Sequence, residues 1–233
     1  MGHGVKILAP CSKAEEIVNP ENVFIVGRPV SVPNSGAIAR VTLSPRLAPK
    51  VKAILKEEQF DIVHLHEPLV PALPITVLRF SQSINVGTFH ACHDKSLSYF
   101  YARRILNRWF RRLDGKIAVS KPAMNFISRY FPGYYNIIPN GIDVDHFSAD
   151  LPPIEKFNDG RPNILFVGRL EKRKGLNYLL KAFPIIKQQL PHARLIVVGP
   201  DSGLQEKYER DTDVKSLRDV FFEGFVSNED LPR

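Results

Sequence analysis

The chain has 233 residues, of which 44% are hydrophobic and 24% charged, a composition that indicates a globular protein and excludes a disordered one. Its formal net charge of +8 favours an anionic partner, such as a sugar nucleotide, an acidic lipid surface or a nucleic acid. Two cysteines are too few for a disulfide framework, and no apolar run reaches the roughly 18 residues of a membrane span. We therefore expect a cytoplasmic protein, either free or peripheral on the inner face of the cytoplasmic membrane.

Strands and helices alternate along the first part of the chain. The predicted elements in chain order are a strand at 5–9, short β-rich pieces within 23–43, a helix around 47–55, a strand at 61–66, a helix at 69–80, a strand at 85–89, a helix at about 98–112, a strand at 116–120, a helix at about 122–130 and a strand at 136–139. Strands that alternate with helices predict a parallel sheet with both faces covered.

A change of composition divides the chain into two domains. Residues 149–162 are rich in proline, aspartate and polar side chains, which predicts a linker between a domain at 1–148 and a partial domain at 163–233. The second domain has predicted strands at 163–167, 194–200 and 220–226. Its two and a half βα repeats do not complete a doubly wound domain, and no βα unit precedes the first strand, so we expect the sequence to be part of a longer protein.

The sequence GRLEKRKG concentrates positive charge at a turn between a strand and a helix. A helix N-terminus offers unpaired backbone N–H groups and the positive end of the helix dipole, so added cations there make an anion site, with phosphate as its natural ligand. Arg169 follows Gly168 directly after the strand, and Lys174 precedes the glycine that opens the helix. These two cations are the predicted phosphate ligands, whereas Lys172 and Arg173 are interpreted as solvated loop charges.

Several histidines lie at or near predicted strand ends. His90 ends a buried strand at the sheet edge where open α/β proteins bind ligands; the alternative is a core histidine with satisfied hydrogen bonds. His64 and His66 share one face of their strand, and with His93 they suggest a metal site. No carboxylate completes a ligand spacing, so we expect no metal and interpret them as packing and cleft-shaping residues.

Seven segments, taken together and in order, resemble the retaining glycosyltransferases of family 4. They are DIVHLHEP, VGTFHA, KIAVS, IPNGIDVDHF, VGRLEKRKG, RLIVVGP and FEGFVSNEDLP. The resemblance implies an α/β fold of the GT-B type, with two facing Rossmann-like domains built on parallel sheets, the second incomplete here. It also implies transfer of a hexose from a nucleotide-sugar to a hydroxyl acceptor with retention, without a metal or other cofactor. The donor-binding E-x7-E pair that the family carries is absent, so we expect the fragment alone to be inactive.

The donor site that the resemblance implies lies in the second domain. Gly168, Arg169 and Lys174 belong to it, and the last two are catalytic because they stabilise the departing diphosphate. Gly224, Phe225 and Val226 would line the pocket of the nucleotide base, although a plain βα turn explains these residues equally well.

Three segments of the first domain, PNSGAIARVTLSP, HEPLVPALPITVLRFS and VGTFHACHDKSLS, resemble the phosphatidylinositol mannosyltransferases. This narrower resemblance implies a donor such as GDP-mannose and a phosphoinositide-type lipid acceptor. It places His90 at the reaction centre, where it is catalytic, and makes Arg40 and Lys95 ligands of the acceptor phosphate. Glu67 is interpreted either as an acceptor contact or as part of the loop. Asn34 and Ala91 depart from the subfamily pattern, so a soluble or polysaccharide acceptor stays open.

Other function classes are less well supported. A basic nucleic-acid-binding module agrees with the net charge, but no RRM, KH, helix-turn-helix or zinc pattern appears, so we expect no nucleic-acid partner. A non-catalytic nucleotide-binding domain is a further alternative. Two basic segments, at 49–58 and 99–115, fit either an anionic lipid surface or a solvated helix face.

Overall fold

The computed structural model describes residues 2–11, 20–34, 37–42, 44, 46–148, 150–201, 203–211 and 218–233. These residues form two compact units, the first built almost entirely from the chain up to Gly141 and the second from Ile142–Arg233. The division thus falls a few residues before the predicted linker at 149–162.

A parallel sheet forms the centre of the first unit. Its four strands stand in chain order, namely β5 (Ile62–His66), β6 (Ile84–Phe89), β7 (Gly115–Ala118) and β8 (Asn136–Ile137). Two short sheets precede it: β1 (Ile7–Ala9) pairs in parallel with β2 (Val23–Ile25), and β3 (Pro29–Asn34) pairs with β4 (Ala37–Thr42). The helices are α1 (Leu47–Glu58), α2 (Leu73–Phe80), α3 (Leu97–Phe110) and α4 (Lys121–Ser128). The parallel α/β arrangement predicted from the sequence is confirmed.

Polar caps determine where two of these helices begin. The Oγ of Ser96 accepts a hydrogen bond from the N–H of Tyr99 at the start of α3, and the Oγ of Ser120 accepts one from Ala123 at the start of α4, both at 3.2 Å. The helix predicted at 69–80 begins four residues later, because the positive φ of 75° at Ala72 interrupts helical geometry before it.

Apolar side chains from the strands and helices of the first unit pack into one core. Phe89 from β6, Leu78 from α2 and Val51 from α1 are almost completely buried in it. In α3, Leu106 and Phe110 face this core, while Tyr101 is exposed. The aromatic residues of that basic helix are therefore divided between core and surface.

The second unit contains a smaller parallel sheet. Its elements are β9 (Asn163–Val167), α5 (Leu176–Gln189), β10 (Arg194–Val198), α6 (Gln205–Asp211) and β11 (Val220–Gly224), and the strand order is β11-β10-β9. The core around Leu176, Leu180, Phe183 and Leu195 lies between α5 and the sheet. This packing gives α5 a fixed position relative to the end of β9.

Part of the predicted linker is packed against the second unit. The guanidinium of Arg194, which is 3% exposed, donates to both carboxylate oxygens of Asp159 at 2.8 and 2.9 Å and to the carbonyl of Phe157 at 2.6 Å. Lys156 pairs with Glu223 at 2.7 Å. Residues 155–159 are thereby bound to β10 and β11.

Candidate functional site

The first cluster of predicted site residues lies at the carboxyl ends of β5 and β6. Glu67 directly follows β5, and its N–H donates to the carbonyl of Thr88 in β6 at 2.8 Å. Its side chain turns towards the end of β6, where Oε1 accepts hydrogen bonds from the backbone N–H groups of His90 and Ala91, both at 2.7 Å. The sequence allows two interpretations of Glu67, an acceptor contact and a part of the loop structure. These hydrogen bonds correspond to the second. The acceptor contact stays a prediction.

Three histidine rings stack along this edge. The ring centroids of His64 and His66 are 4.8 Å apart, and those of His66 and His90 are 5.0 Å apart. The Nδ1 of His66 lies 2.8 Å from the Nε2 of His90, so one nitrogen donates and the other accepts. The Nε2 of His64 lies 2.7 Å from the Oγ1 of Thr88. The sequence predicted that His64 and His66 share a face, but it did not predict their contact with His90.

The surroundings of His64 favour the neutral form of its ring. Burial lowers the pKa of His64 below its ordinary value, and the neighbouring rings of His66 and His90 lower it further. In the described part of the chain, no three His, Cys, Asp or Glu side chains come together in an arrangement that would hold a metal ion.

The structure describes less of Arg40 and Lys95, the two predicted ligands of the acceptor phosphate. Lys95 is exposed and immediately precedes Ser96, the N-cap of α3. Arg40 lies in β4, and its side chain lies outside the described residues. Their contact with a common anion stays a prediction.

The second cluster lies at the carboxyl edge of the β9–β11 sheet, where a glycine stands at the end of each strand. Gly168 follows β9 and donates its N–H to the carbonyl of Val198 at 2.8 Å. Gly199 follows β10 and donates to the carbonyl of Gly224, the last residue of β11, at 2.7 Å. These bonds hold the three strand ends together.

Arg169 is held by an acidic neighbour in the same turn. The carboxylate of Glu171 pairs with the Nη1 of Arg169 at 3.1 Å and with the Nε of Arg173 at 2.8 Å. Glu171 is only 8% exposed, whereas the side chains of the two arginines are 46% and 44% exposed. The buried carboxylate of Glu171 therefore holds both exposed guanidinium groups in place. Arg173, interpreted from the sequence as a solvated loop charge, belongs to this ion-pair cluster.

Lys174 lies at the start of α5, as the sequence predicted. It is exposed, and a Cβ placed on Gly168 would lie 3.8 Å from its Cδ, so the stem of Lys174 passes beside the end of β9. Gly175 occupies the N-cap of α5 with a φ of 79° and has no side chain to bond the first N–H groups of the helix. A lysine ammonium and an uncapped helix N-terminus together favour an anion.

The residues predicted to line the base pocket follow β11. Gly224 ends the strand with a φ of 68°, Phe225 is 79% exposed, and Val226 is half-buried. The structure thus brings Gly168, Arg169, Lys174 and Gly224 to one edge of the second sheet.

Sequence comparisons cover almost the whole chain. The model of Glycosyltransferase Family 4 matches residues 1–146, and that of Glycosyl transferases group 1 matches residues 148–233. The chain belongs to glycosyltransferase family 4. The family predicted from the ordered motifs is therefore confirmed.

Curated relatives of this family 4 chain include phosphatidyl-myo-inositol mannosyltransferases. The protein of that name from Mycobacterium leprae is 34% identical over 199 residues, which cover 85% of this chain and 52% of the relative. The one from Mycolicibacterium smegmatis is 35% identical and is covered to 51% of its length. The chain thus spans about half the length of the curated relatives it matches.

A solved structure supports the fold. Anabaena HepE, crystallised in complex with UDP, superposes with a TM-score of 0.60 at 19% identity, covering 79% of this chain and 53% of that protein. The described chain is accordingly part of a GT-B fold, as predicted from the sequence.

Proposed function

We propose that the complete protein is a retaining glycosyltransferase that moves a hexose from a nucleotide-sugar to a hydroxyl acceptor. The observation that carries this proposal is the turn between β9 and α5, where Arg169 and Lys174 accompany an uncapped helix N-terminus. Family membership and the binding of UDP by HepE support a nucleotide-sugar as the substrate. The nucleotide-sugar is a substrate, and we propose no resident metal or cofactor.

The main electrostatic demand of the proposed reaction is the diphosphate leaving group. Negative charge grows on it as the glycosidic bond breaks, and preorganised cations and backbone N–H groups stabilise that charge more in the transition state than in the ground state. Lys174 would contribute a mobile ammonium, whereas Arg169, ordered by Glu171, would contribute a fixed guanidinium. We propose no protein nucleophile: the acceptor hydroxyl would form its bond to the anomeric carbon on the face that the diphosphate leaves, and its proton would pass to the departing phosphate oxygen.

The finer assignments concern sugar, base and acceptor. Relatives named phosphatidyl-myo-inositol mannosyltransferase favour mannose, a donor such as GDP-mannose and a phosphoinositide-type lipid acceptor. We propose that Arg40 and Lys95 bind the acceptor phosphate, that His90 lies at the reaction centre, and that the exposed ring of Phe225 adjoins the nucleotide base. The protein would then work at the inner face of the cytoplasmic membrane.

Substitution of the turn cations in the complete protein tests the donor site. We expect Arg169→Ala and Lys174→Ala each to lower kcat with a nucleotide-sugar by about 10²- to 10³-fold, the usual cost of removing one preorganised charge donor. Steady-state transfer of a radiolabelled sugar measures kcat, and circular dichroism checks that each variant is folded.

Lys172→Ala is the matched control, since Lys172 is an exposed cation of the same turn that we do not assign to the diphosphate. It should retain most of kcat. Near-normal turnover in both Arg169→Ala and Lys174→Ala would remove the phosphate assignment. A loss in Lys172→Ala as large as that in Arg169→Ala would show that the wrong cations were chosen.

A further inference from the structure

We propose that His66 and Glu67 are positioning residues that hold His90 in one orientation, Glu67 through the backbone and His66 through the ring. The proposal rests on the proposed function, which places His90 at the reaction centre. It gives Glu67 a role that does not require contact with any substrate.

Glu67 binds the two backbone N–H groups that flank the Cα of His90. One carboxylate oxygen, Oε1, accepts the N–H of His90 and the N–H of Ala91, each at 2.7 Å. Hydrogen bonds to an ionised acceptor are about twice as strong as neutral ones, and two donors on one oxygen restrict the backbone of His90 between them. The backbone that carries the His90 side chain is therefore held where β6 has already ended.

The conformation of Glu67 itself indicates a specific constraint. Its φ is 52°, a left-handed value that costs a residue with a side chain about 1 kcal/mol or more. The strained turn is fixed from both ends, since the N–H of Glu67 donates to the carbonyl of Thr88 and its carbonyl accepts the N–H of Val70 at 3.0 Å. This turn directs the carboxylate at the end of β6.

His66 acts on the ring. Its Nδ1 lies 2.8 Å from the Nε2 of His90, and the two rings are stacked with an interplanar angle of 28°. The hydrogen bond restricts rotation of the His90 ring and couples its tautomer to that of His66, since only one of the two facing nitrogens carries the proton. The Nδ1 of His90 is left outside this contact.

Loss of the hydrogen bonds that the His90 and Ala91 N–H groups donate to Glu67 should affect kcat more than KM. In the complete protein, we expect Glu67→Ala to lower kcat by about 10²-fold, the scale of a small misplacement of a reacting group, with little change in KM for the donor. Glu67→Gln should restore most of kcat, because its amide oxygen still accepts both N–H groups.

Asp114→Ala is the matched control. Asp114 also accepts a backbone hydrogen bond from β6, with Oδ2 2.8 Å from the N of Asn85, but at the opposite end of the strand. It should keep kcat near that of the natural protein. If Asp114→Ala loses as much kcat as Glu67→Ala, the effect is general destabilisation and the positioning role is wrong. If Glu67→Gln is as impaired as Glu67→Ala and the defect lies in acceptor KM, Glu67 contacts the acceptor instead.

The ring contact is tested with a second pair of variants. His66→Phe keeps a stacked aromatic ring but removes the hydrogen bond to His90, whereas His66→Asn keeps a polar group near the position of Nδ1. We expect His66→Phe to lose more kcat than His66→Asn. Equal and normal kcat in both variants would overturn the assignment of His66.

An NMR measurement without substrate separates this proposal from the proposed function. In protein labelled with ¹⁵N-histidine, the His90 amide, identified by its absence in His90→Gln, should shift upfield in Glu67→Ala and stay near its natural position in Glu67→Gln. An unchanged chemical shift of the His90 amide in Glu67→Ala would overturn the proposal that Glu67 holds the His90 backbone. Full turnover of His90→Gln would instead refute the place of His90 at the reaction centre, while the amide shift still decides whether Glu67 holds it.

Discussion

Gly199 determines how closely β9 and β10 approach at their carboxyl ends. Its φ is 141°, and an ideal Cβ on it would lie 2.1 Å from the carbonyl oxygen of Gly168. That oxygen belongs to the backbone and has no freedom to move aside. Gly168 precedes Arg169, so the close approach fixes the backbone from which a proposed phosphate ligand extends.

Replacing Gly199 tests this packing. We expect Gly199→Ala to reduce the free energy of unfolding by about 3 kcal/mol, because the strand ends must separate to admit a methyl group. Gly160→Ala is the control: Gly160 also has a positive φ, of 78°, but nothing lies within 4 Å of an added Cβ. Gly160→Ala should lower the free energy of unfolding by about 1 kcal/mol. Thermal unfolding of the two variants compares their losses of stability. Equal losses would show that the close approach of residue 199 to the Gly168 carbonyl does not limit stability.

Single residues differ in how well the sequence predicted their role. The position of Lys174 before the helix-opening glycine was predicted from pattern alone, because strand, turn and helix signals are local. The pairing of Glu171 with Arg169 and Arg173 was not, since residues two apart in a turn have no fixed geometry until the loop is folded. The bond from Glu67 to the His90 amide joins positions 23 apart in sequence, and only the register of β5 on β6 brings them together.

At the scale of elements, alternation of strands and helices was predictable because buried parallel strands and amphipathic helices leave distinct hydrophobic patterns. Boundaries were less predictable. The last strand of the first sheet contains only Asn136–Ile137, and α2 starts at Leu73 because a strained backbone precedes it. The first limit depends on pairing with β7 and the second on the backbone conformation of Ala72, and neither follows from local propensity.

An ion-pair cluster joins three elements of the second unit. Asp219, which precedes β11, accepts a hydrogen bond from the Nζ of Lys187 in α5 at 2.6 Å and pairs with Arg161, which lies just before β9. The hydrogen bond from Lys187 lowers the pKa of Asp219 most, burial opposes this change, and Arg161 lowers the pKa further. The cluster fixes α5 against the amino-terminal edge of the sheet.

The lowered pKa predicts a pH dependence of stability. A carboxylate whose folded pKa is depressed stabilises the native state fully above its unfolded pKa, here 3.8, and loses that contribution as the pH falls through the folded pKa. We expect Asp219→Asn to lower the unfolding temperature most at neutral pH, with the difference from the natural protein shrinking below pH 3.8. A difference that is constant from neutral to acidic pH would contradict the ionic role of Asp219.

At the scale of the whole molecule, the net charge of +8 is the property most relevant to a membrane partner. No helix in the described residues is long and apolar enough to cross a membrane. On α3, Arg103 and Arg104 are exposed together with Tyr101 and Ile105, a combination that suits an anionic lipid surface.

Vesicle binding tests this property. We expect the complete protein to bind vesicles that contain anionic phospholipid, with an affinity that falls as salt rises, because each cation near the surface contributes about 1 kcal/mol that salt screens. Sedimentation with vesicles measures the bound fraction, and vesicles of neutral lipid alone are the control. Binding that is equal to both vesicles and insensitive to salt would contradict an electrostatic attachment.

We propose that the complete protein transfers a hexose from a nucleotide-sugar with retention. The most direct measurement incubates the complete protein with GDP-mannose and vesicles of phosphatidylinositol, and determines the anomeric configuration of the product by NMR. We predict a mannosylated phospholipid with the α configuration of the donor, and Arg40→Ala should reduce its formation without changing donor affinity. A product of inverted configuration would contradict retention, and no transfer to any acceptor from a panel of nucleotide-sugars would contradict glycosyl transfer itself.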